Sequence, residues 1–258
     1  MKHHKQHFKH VASVYDHVRN TDPLVVDAII PSLLGHKRPL DVADIGCGTG
    51  KYSEIIAEQL NSNLRLFCCD YSDAMLSECR KSMNQKSASK RFNFCRVSAT
   101  GLPFVDCCFD AVLTFNAVHH FDLDCFMGGA ACVLRQGGLL AIYTRTPAQN
   151  ARILWGQHFP AFTEYENRLY TRERLERAVG KVPELKLEHI REFRYERSES
   201  VEFLLKRTFH KHYSTFSLYP AEEFNSAREI FAERLARIST RGIIEHTAEN
   251  TLVLARKI

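Results

Sequence analysis

The stretch DVADIGCGTGKYS, Asp41 to Ser53, sets Gly46, Gly48 and Gly50 into five residues directly after an apolar run. Glycine adopts backbone angles closed to other residues and lets a ligand approach the main chain closely. A dinucleotide fingerprint, G-x-G-x-x-G, needs its third glycine at position 51, where Lys51 stands. A phosphate loop of the form G-x-x-x-x-G-K-[ST] needs glycine at 45 and Ser or Thr at 52, and here stand Ile45 and Tyr52. What remains is an acid, Asp44, followed by G-x-G-x-G at a strand-to-helix turn. A carboxylate at the strand end repels phosphate and suits a cationic amine. Asp70 follows about twenty residues later, where a carboxylate can accept hydrogen bonds from both hydroxyls of an unmodified ribose. The site is built for an amine at one end, a ribose at the other and no pyrophosphate between.

Outward from this turn, apolar runs alternate with helical patterns. LDVADIG reads as a buried strand and KYSEIIAEQL as a helix with one apolar side. LRLFCCD, RFNFCRV, FDAVLTFNAV and GGLLAIYTRT read as further strands. SDAMLSECRKSM and LDCFMGGAACVLR read as the helices between them. Before the turn, HFKHVASVYDHVRN and DPLVVDAIIPSLLG have helical spacing, the second with Asp22 as N-cap and Pro23 at the first helical position. This alternation predicts an α/β fold with a doubly wound, mostly parallel sheet. After Pro147 the rhythm changes. NARILWGQHF, TRERLERAVGKV, SVEFLLKRTFHKH and AEEFNSAREIFAERLAR read as helices, while LKLEHIREFRYE and ENTLVLARKI read as two late strands.

The chain resembles a class I S-adenosylmethionine-dependent methyltransferase of the small-methyltransferase superfamily. Four segments carry the resemblance in the family's order: DIGCGTG, CDYSDAML, ATGLPFVDCCFDAVLTFNAVHHF and VLRQGGLLAIY, together spanning roughly residues 40 to 145. The resemblance implies a Rossmann-like seven-stranded sheet whose last strand is inserted between its neighbours. It also implies one methyltransferase domain over 1–258, with a cofactor core at about 38–146 and substrate-cap insertions at about 147–185 and 198–246. The implied cofactor is S-adenosyl-L-methionine. Gly46, Gly48 and Gly50 would line its methionine moiety, with Asp44 near the amino group. Asp70 would hold the ribose hydroxyls, Tyr71 pack beside the adenine, and Ser98 and Ala99 lie at the adenine edge. Asn116 would stand near the sulfonium, and Tyr15 would close over the cofactor. Many relatives carry Asp where this chain has Ser98, so the adenine amino contact is weaker here or made by backbone.

His119 and His120 follow the fourth strand, where acceptor meets methyl group, and a histidine titrates in the range that suits a general base. A structural role in loop packing is the alternative reading. Tyr143, Arg145 and the segment Arg207–Tyr213 are further residues expected to face the methyl group. Trp155, Phe159, Phe162, Tyr165 and Tyr170 either enclose a compact ligand or form the core of the cap. His3, His4, His7 and His10 have helical spacing but read as a solvated terminus, and no metal is expected.

The 258 residues are 45% hydrophobic, enough for one sizeable core, and hold no apolar run long enough to span a membrane. The nine cysteines, from Cys47 to Cys132 and without a C-x-x-C pair, read as reduced thiols of a cytoplasmic protein. A net charge of +5, spread along the chain, permits an acidic partner without requiring one. The acceptor is therefore expected to be a small molecule methylated on O, N or C. Two alternatives stay open: an RNA acceptor, since GCGTGKY, AVHHF and LRQGG also resemble the wobble-uridine tRNA methyltransferases, and a protein that binds the cofactor without catalysis.

Overall fold

The computed structural model of the protein describes residues 21–34, 38–61, 64–86 and 91–258. Tyr15 and the four N-terminal histidines lie outside the described residues. Seven strands form one sheet: β1 (Leu40–Ile45), β2 (Leu64–Asp70), β3 (Phe92–Arg96), β4 (Phe109–Phe115), β5 (Leu134–Thr144), β6 (Leu185–Ser200) and β7 (Ile243–Lys257). Their order is β3-β2-β1-β4-β5-β7-β6. β1 pairs in parallel with β2 and β4, β2 with β3, and β4 with β5. β7 runs antiparallel to β5, with Leu139 opposite Arg256 and Thr144 opposite Thr251. The late strand is therefore inserted between β5 and β6, as the resemblance implied, and the fold is the Rossmann-like methyltransferase fold.

The helices are α1 (Pro23–Ile29), α2 (Lys51–Leu60), α3 (Asp73–Lys86), α4 (Leu123–Val133), α5 (Pro147–Arg152), α6 (Leu154–His158), α7 (Phe162–Tyr165), α8 (Arg172–Gly180), α9 (Val201–Phe209) and α10 (Ala221–Ile238). Every residue of β1 and β4 is buried, which is why both read as continuous apolar runs rather than as alternation. β3, with Asn93 and Arg96 exposed, forms the polar edge. Strand order reverses between β1 and β4. In open α/β sheets the crevice at the carboxyl ends of such a pair is where ligands bind.

Several local expectations shift. Asp22 precedes α1, but its carboxylate makes no cap; Oδ2 instead accepts the Tyr143 hydroxyl at 2.9 Å. Pro31 tightens the end of that segment into a 3-10 turn over Ile30–Leu33. α4 stops at Val133, so Arg135 and Gln136 lie within β5. A register shift between Phe109 and Ala111 lets Leu134 pair with Phe109 before Leu139 pairs with Ala111. NARILWGQHF is two helices rather than one, broken at Ile153, whose ψ of 163° is extended.

The chain divides into two compact units. One contains residues 21–144, 172–191 and 251–258, and the other 145–171 and 192–250; β6 and β7 contribute residues to both. The first expected insertion, 147–185, is thus divided, because α8 joins the core unit. Arg174 and Lys181 pair with Asp124 of α4 at 2.8 and 3.2 Å, and Leu175, Ala178 and Val179 are buried. The second unit has its own core around Trp155, Phe159, Phe162, Leu204, Phe216 and Phe231. Trp155, Phe159 and Phe162 are thereby core residues, whereas Tyr165 is half-exposed and donates its hydroxyl to Glu223 at 2.6 Å. Among the described residues no helix is long and apolar enough to cross a membrane.

Candidate functional site

The glycine turn leaves β1 with the Gly46 and Cys47 N–H groups donating to Cys69 O of β2, at 2.7 and 3.0 Å. Gly46, Gly48 and Gly50 all have positive φ, at 76°, 58° and 88°. Their surroundings differ. A Cβ at Gly46 would sit 2.5 Å from Ala117 Cβ, and one at Gly50 would sit 2.5 Å from Cys79 Sγ, whereas one at Gly48 would meet nothing within 4 Å among the described residues. Gly46 and Gly50 therefore close the turn onto its neighbours, and Gly48 presents bare backbone to open space, as a cradle for a ligand requires.

Two carboxylates flank this turn. Asp44, fully buried in β1, accepts a hydrogen bond from Ser53 Oγ at 2.6 Å through Oδ2, while its Oδ1 has no partner among the described residues. Burial pushes its carboxyl up to about 8; the Ser53 hydrogen bond opposes that shift, and Cys68 and Asp70 add to it. A neutral acid with one orphaned buried oxygen is poised to ionise when a cation arrives. Asp70, at the end of β2, accepts the Gly48 N–H at 2.9 Å and the Ser72 N–H at 2.8 Å. Burial raises its carboxyl above the ordinary range, opposed by the backbone donors of Ser72, Gly48 and Tyr71. One carboxylate thus fixes both the glycine turn and the start of the next helix. The set offers a buried cation an unpartnered acceptor at Asp44 Oδ1 and offers hydroxyl donors the Asp70 carboxylate, groups that a sulfonium nucleoside of an amino acid would need.

Tyr71, Ser98, Ala99, Asn116, His119 and His120 lie on the same unit. Asn116 ends β4 in the left-handed region, φ 53°, with its N–H on Tyr143 O at 2.7 Å. A 3-10 turn over Val118–His120 follows, which sets the half-buried rings of His119 and His120 4.0 Å apart. Tyr71 is exposed beneath the Arg96 guanidinium, which lies 5.6 Å from its ring. Ser98 is exposed and shares a hydrogen bond with Thr100 at 2.8 Å, whereas Ala99 is buried.

Tyr143, one of the residues expected to face the methyl group, sits at the carboxyl end of β5 in a network not expected from the sequence. Tyr143, fully buried, donates to Asp22; the Asp22 N–H reaches Tyr52 Oη at 3.3 Å; and the Tyr52 ring stacks on Phe115 at 4.3 Å. The signal was present in the aromatic residues 52, 115 and 143, each placed at a strand end or helix start. In the second unit, Arg207, Thr208 and His212 of the segment expected to face the methyl group are buried. Arg207 is buried and paired with Glu199 at 3.0 Å, and its guanidinium lies 4.9 Å from the Trp155 ring. Arg145 donates to Tyr213 Oη at 3.2 Å and stacks over that ring. Among the described residues, no three or more His, Cys, Asp or Glu side chains are grouped so as to hold a metal ion.

Residues 42–138 match the family profile described as "Methyltransferase domain". The demethylmenaquinone methyltransferase of Bacteroides fragilis is 30% identical over 149 residues, covering 55% of this chain and 60% of that protein. The Mus musculus protein named "Probable tRNA methyltransferase 9B" is 32% identical over 155 residues, covering 56% of this chain and 31% of that protein. The chain therefore spans less than two thirds of either relative. Among solved structures, a methyltransferase described as part of an antibiotic biosynthesis pathway of Anabaena variabilis superposes with a TM-score of 0.70 at 19% identity, over 93% of this chain and 99% of that one. The [4+2]-cyclase SpnF superposes at 0.61 and 18% identity, over 91% and 81%. Residues 42–138 thus match a methyltransferase-domain profile, and the strand order is that of a fold shared with the superposed structures.

Proposed function

We propose that the protein transfers a methyl group from S-adenosyl-L-methionine to an oxygen, nitrogen or carbon nucleophile of a small molecule in the cytoplasm. The observation that carries this reading is the pair of carboxylates about the glycine turn: Asp44 with its orphaned Oδ1, and Asp70 on Gly48 N–H. The nine cysteines, all free thiols, favour a reducing compartment. The quinone methyltransferase relative supports a small acceptor, as does the absorption of Arg207 into the second unit's core.

The cofactor supplies an electrophilic methyl on a sulfonium leaving group, so the chain mainly has to align the acceptor. Asp44 neutralises the ammonium, Asp70 fixes the ribose, and Gly48 allows close approach of the backbone. Asn116, His119 and His120 stand at the end of β4, on the acceptor side. His119 or His120 takes the acceptor's proton where the nucleophile needs one removed. His119→Ala and His120→Ala are assayed together, and one of them is expected to lower kcat by about a hundredfold. Unchanged kcat in both variants, with a lowered Tm, would assign the pair to loop packing.

An RNA acceptor is the second reading, favoured by the tRNA methyltransferase relative. A cofactor-binding protein without methyl transfer is the third, since the cyclase shares the fold. Calorimetric titration with S-adenosylmethionine, S-adenosylhomocysteine, NADH and ATP tests the cofactor. Binding of the first two alone, weakened about tenfold or more by Asp70→Ala, supports the assignment. Radiolabelled methyl transfer to a small-molecule extract against total tRNA separates the acceptors, and no transfer to either favours the third reading.

A further inference from the structure

Four residues from four segments interlock at the carboxyl ends of β4 and β5, all within the core unit. Tyr143, near the end of β5, is fully buried and donates its hydroxyl to Asp22 Oδ2 at 2.9 Å. Asp22, only 5% exposed, stands just before α1 and donates its main-chain N–H to Tyr52 Oη at 3.3 Å. Tyr52 is the second residue of α2, and its ring stacks on Phe115 with centroids 4.3 Å apart and 7° between the planes. The same ring meets Tyr143 edge-on at 6.2 Å. Taking a carboxylate out of water costs free energy, and an apolar side chain would fill the space at less cost. The acid is therefore there for what its hydrogen bonds hold in place.

What they hold is the proposed site. Gly50 lies two residues before Tyr52, and Asn116 directly follows Phe115. The Asn116 N–H donates to Tyr143 O at 2.7 Å, and Asn116 keeps a left-handed φ of 53° that needs restraint from its surroundings. We infer that Asp22 is a positioning residue of this site: through Tyr143 it fixes Asn116, and through Tyr52 it fixes the start of the helix after the glycine turn. The inference rests on the cofactor reading given above. Stacked rings resist separation yet slide, whereas hydrogen bonds are directional and set where a ring stops. Removing the Asp22 carboxylate takes away the acceptor of a buried phenol, which must turn toward another partner. The end of β5 then shifts, and with it the carbonyl that holds Asn116. An asparagine at 22 keeps the shape and an Oδ1 acceptor, so it still receives the Tyr143 hydroxyl.

The test uses the full chain with Asp22→Ala, Asp22→Asn, Tyr143→Phe and the Asp22→Ala/Tyr143→Phe double variant. Each is measured for S-adenosylhomocysteine affinity by calorimetry, for exchange of the Asn116 amide without ligand, and for Tm. Asp22→Ala and Tyr143→Phe should each weaken binding about tenfold and speed Asn116 exchange, with the double variant no worse than Asp22→Ala alone. Asp22→Asn should stay within about twofold of the parent protein in affinity. A lowered Tm with affinity and Asn116 exchange unchanged would reduce Asp22 to a packing residue and overturn the inference. Losses that add fully in the double variant would overturn the coupling through Tyr143, and so would an Asp22→Asn protein as impaired as Asp22→Ala. Should Asp22→Ala fail to fold, Tyr143→Phe, which removes the hydroxyl alone, carries the same comparison. Parent protein that binds no S-adenosylhomocysteine would sink the cofactor reading, while Asn116 exchange still judged the hold of Asp22 on β5.

Discussion

Asp44 at neutral pH is an acid waiting for a charge. Its folded pKa of about 8 lies above the ordinary 3.8, so the folded state without ligand holds a proton that the unfolded chain releases. Its contribution to stability is complete below about pH 4 and is lost as pH rises toward 8, the reverse of a salt-bridged carboxylate. An ammonium placed against Oδ1 lowers that pKa, so cofactor binding near pH 7 should release close to one proton. Calorimetry in buffers of different ionisation enthalpy measures this, and Asp44→Asn should remove it. The glycines separate in the same way. Gly48→Ala meets open space and is expected to cost only the left-handed backbone strain, about 1–2 kcal/mol, while lowering cofactor affinity. Gly46→Ala and Gly50→Ala must in addition displace Ala117 or Cys79, so their chemical-denaturation midpoints should fall further.

At the scale of elements, β1 and β4 are tied at their N-terminal ends as well as along their length. Asp110 of β4 accepts both Arg38 nitrogens at 2.9 and 2.5 Å, the Asp41 N–H at 2.8 Å and Arg135 at 2.9 Å. Burial opposes its ionisation, but Arg38, the Asp41 N–H and Arg135 outweigh it and hold the carboxyl below the ordinary range. The stability it contributes is present above the unfolded carboxylate pKa and is lost as pH falls below about 4. Asp110→Asn should therefore flatten acid denaturation, a loss visible in the pH dependence of Tm. The elements that carry the site were legible because their signals are local: the turn needs glycines, and central strands need apolar runs. What escaped depends on distant partners. Asp22 looked like a helix cap because its neighbour is Pro23, and nothing nearby names Tyr143 as its donor. Arg207 was expected to face the methyl group because nothing in the local pattern names Glu199, eight residues earlier, as its partner. The α4–β5 boundary slipped because a β-bulge absorbs the Gly-Gly pair that otherwise marks a strand start.

For the molecule as a whole, the two units draw stability from different chemistry. The core unit carries the residues proposed to hold the cofactor and should respond to ligand. S-adenosylhomocysteine at about a hundred times its Kd should add about 2.7 kcal/mol, seen as a raised Tm that Asp70→Ala diminishes. The second unit is held by an aromatic core, in which Trp155 donates Nε1–H to Thr208 at 3.3 Å. Trp155→Ala should cost that unit about 3–5 kcal/mol, read as earlier amide exchange in residues 145–171 and 192–250.

The inserted strand also orders events during synthesis. β5 and β6 are made well before β7, yet β5 gains its second neighbour and β6 its place in the sheet through β7. While residues 243–257 are still inside the ribosome, β5 presents an open edge beside the already paired β4, and β6 has no ladder to join. The nascent sheet is thus a template awaiting one late segment, and its open edge is the place where another chain could pair between translation of β5 and release of β7.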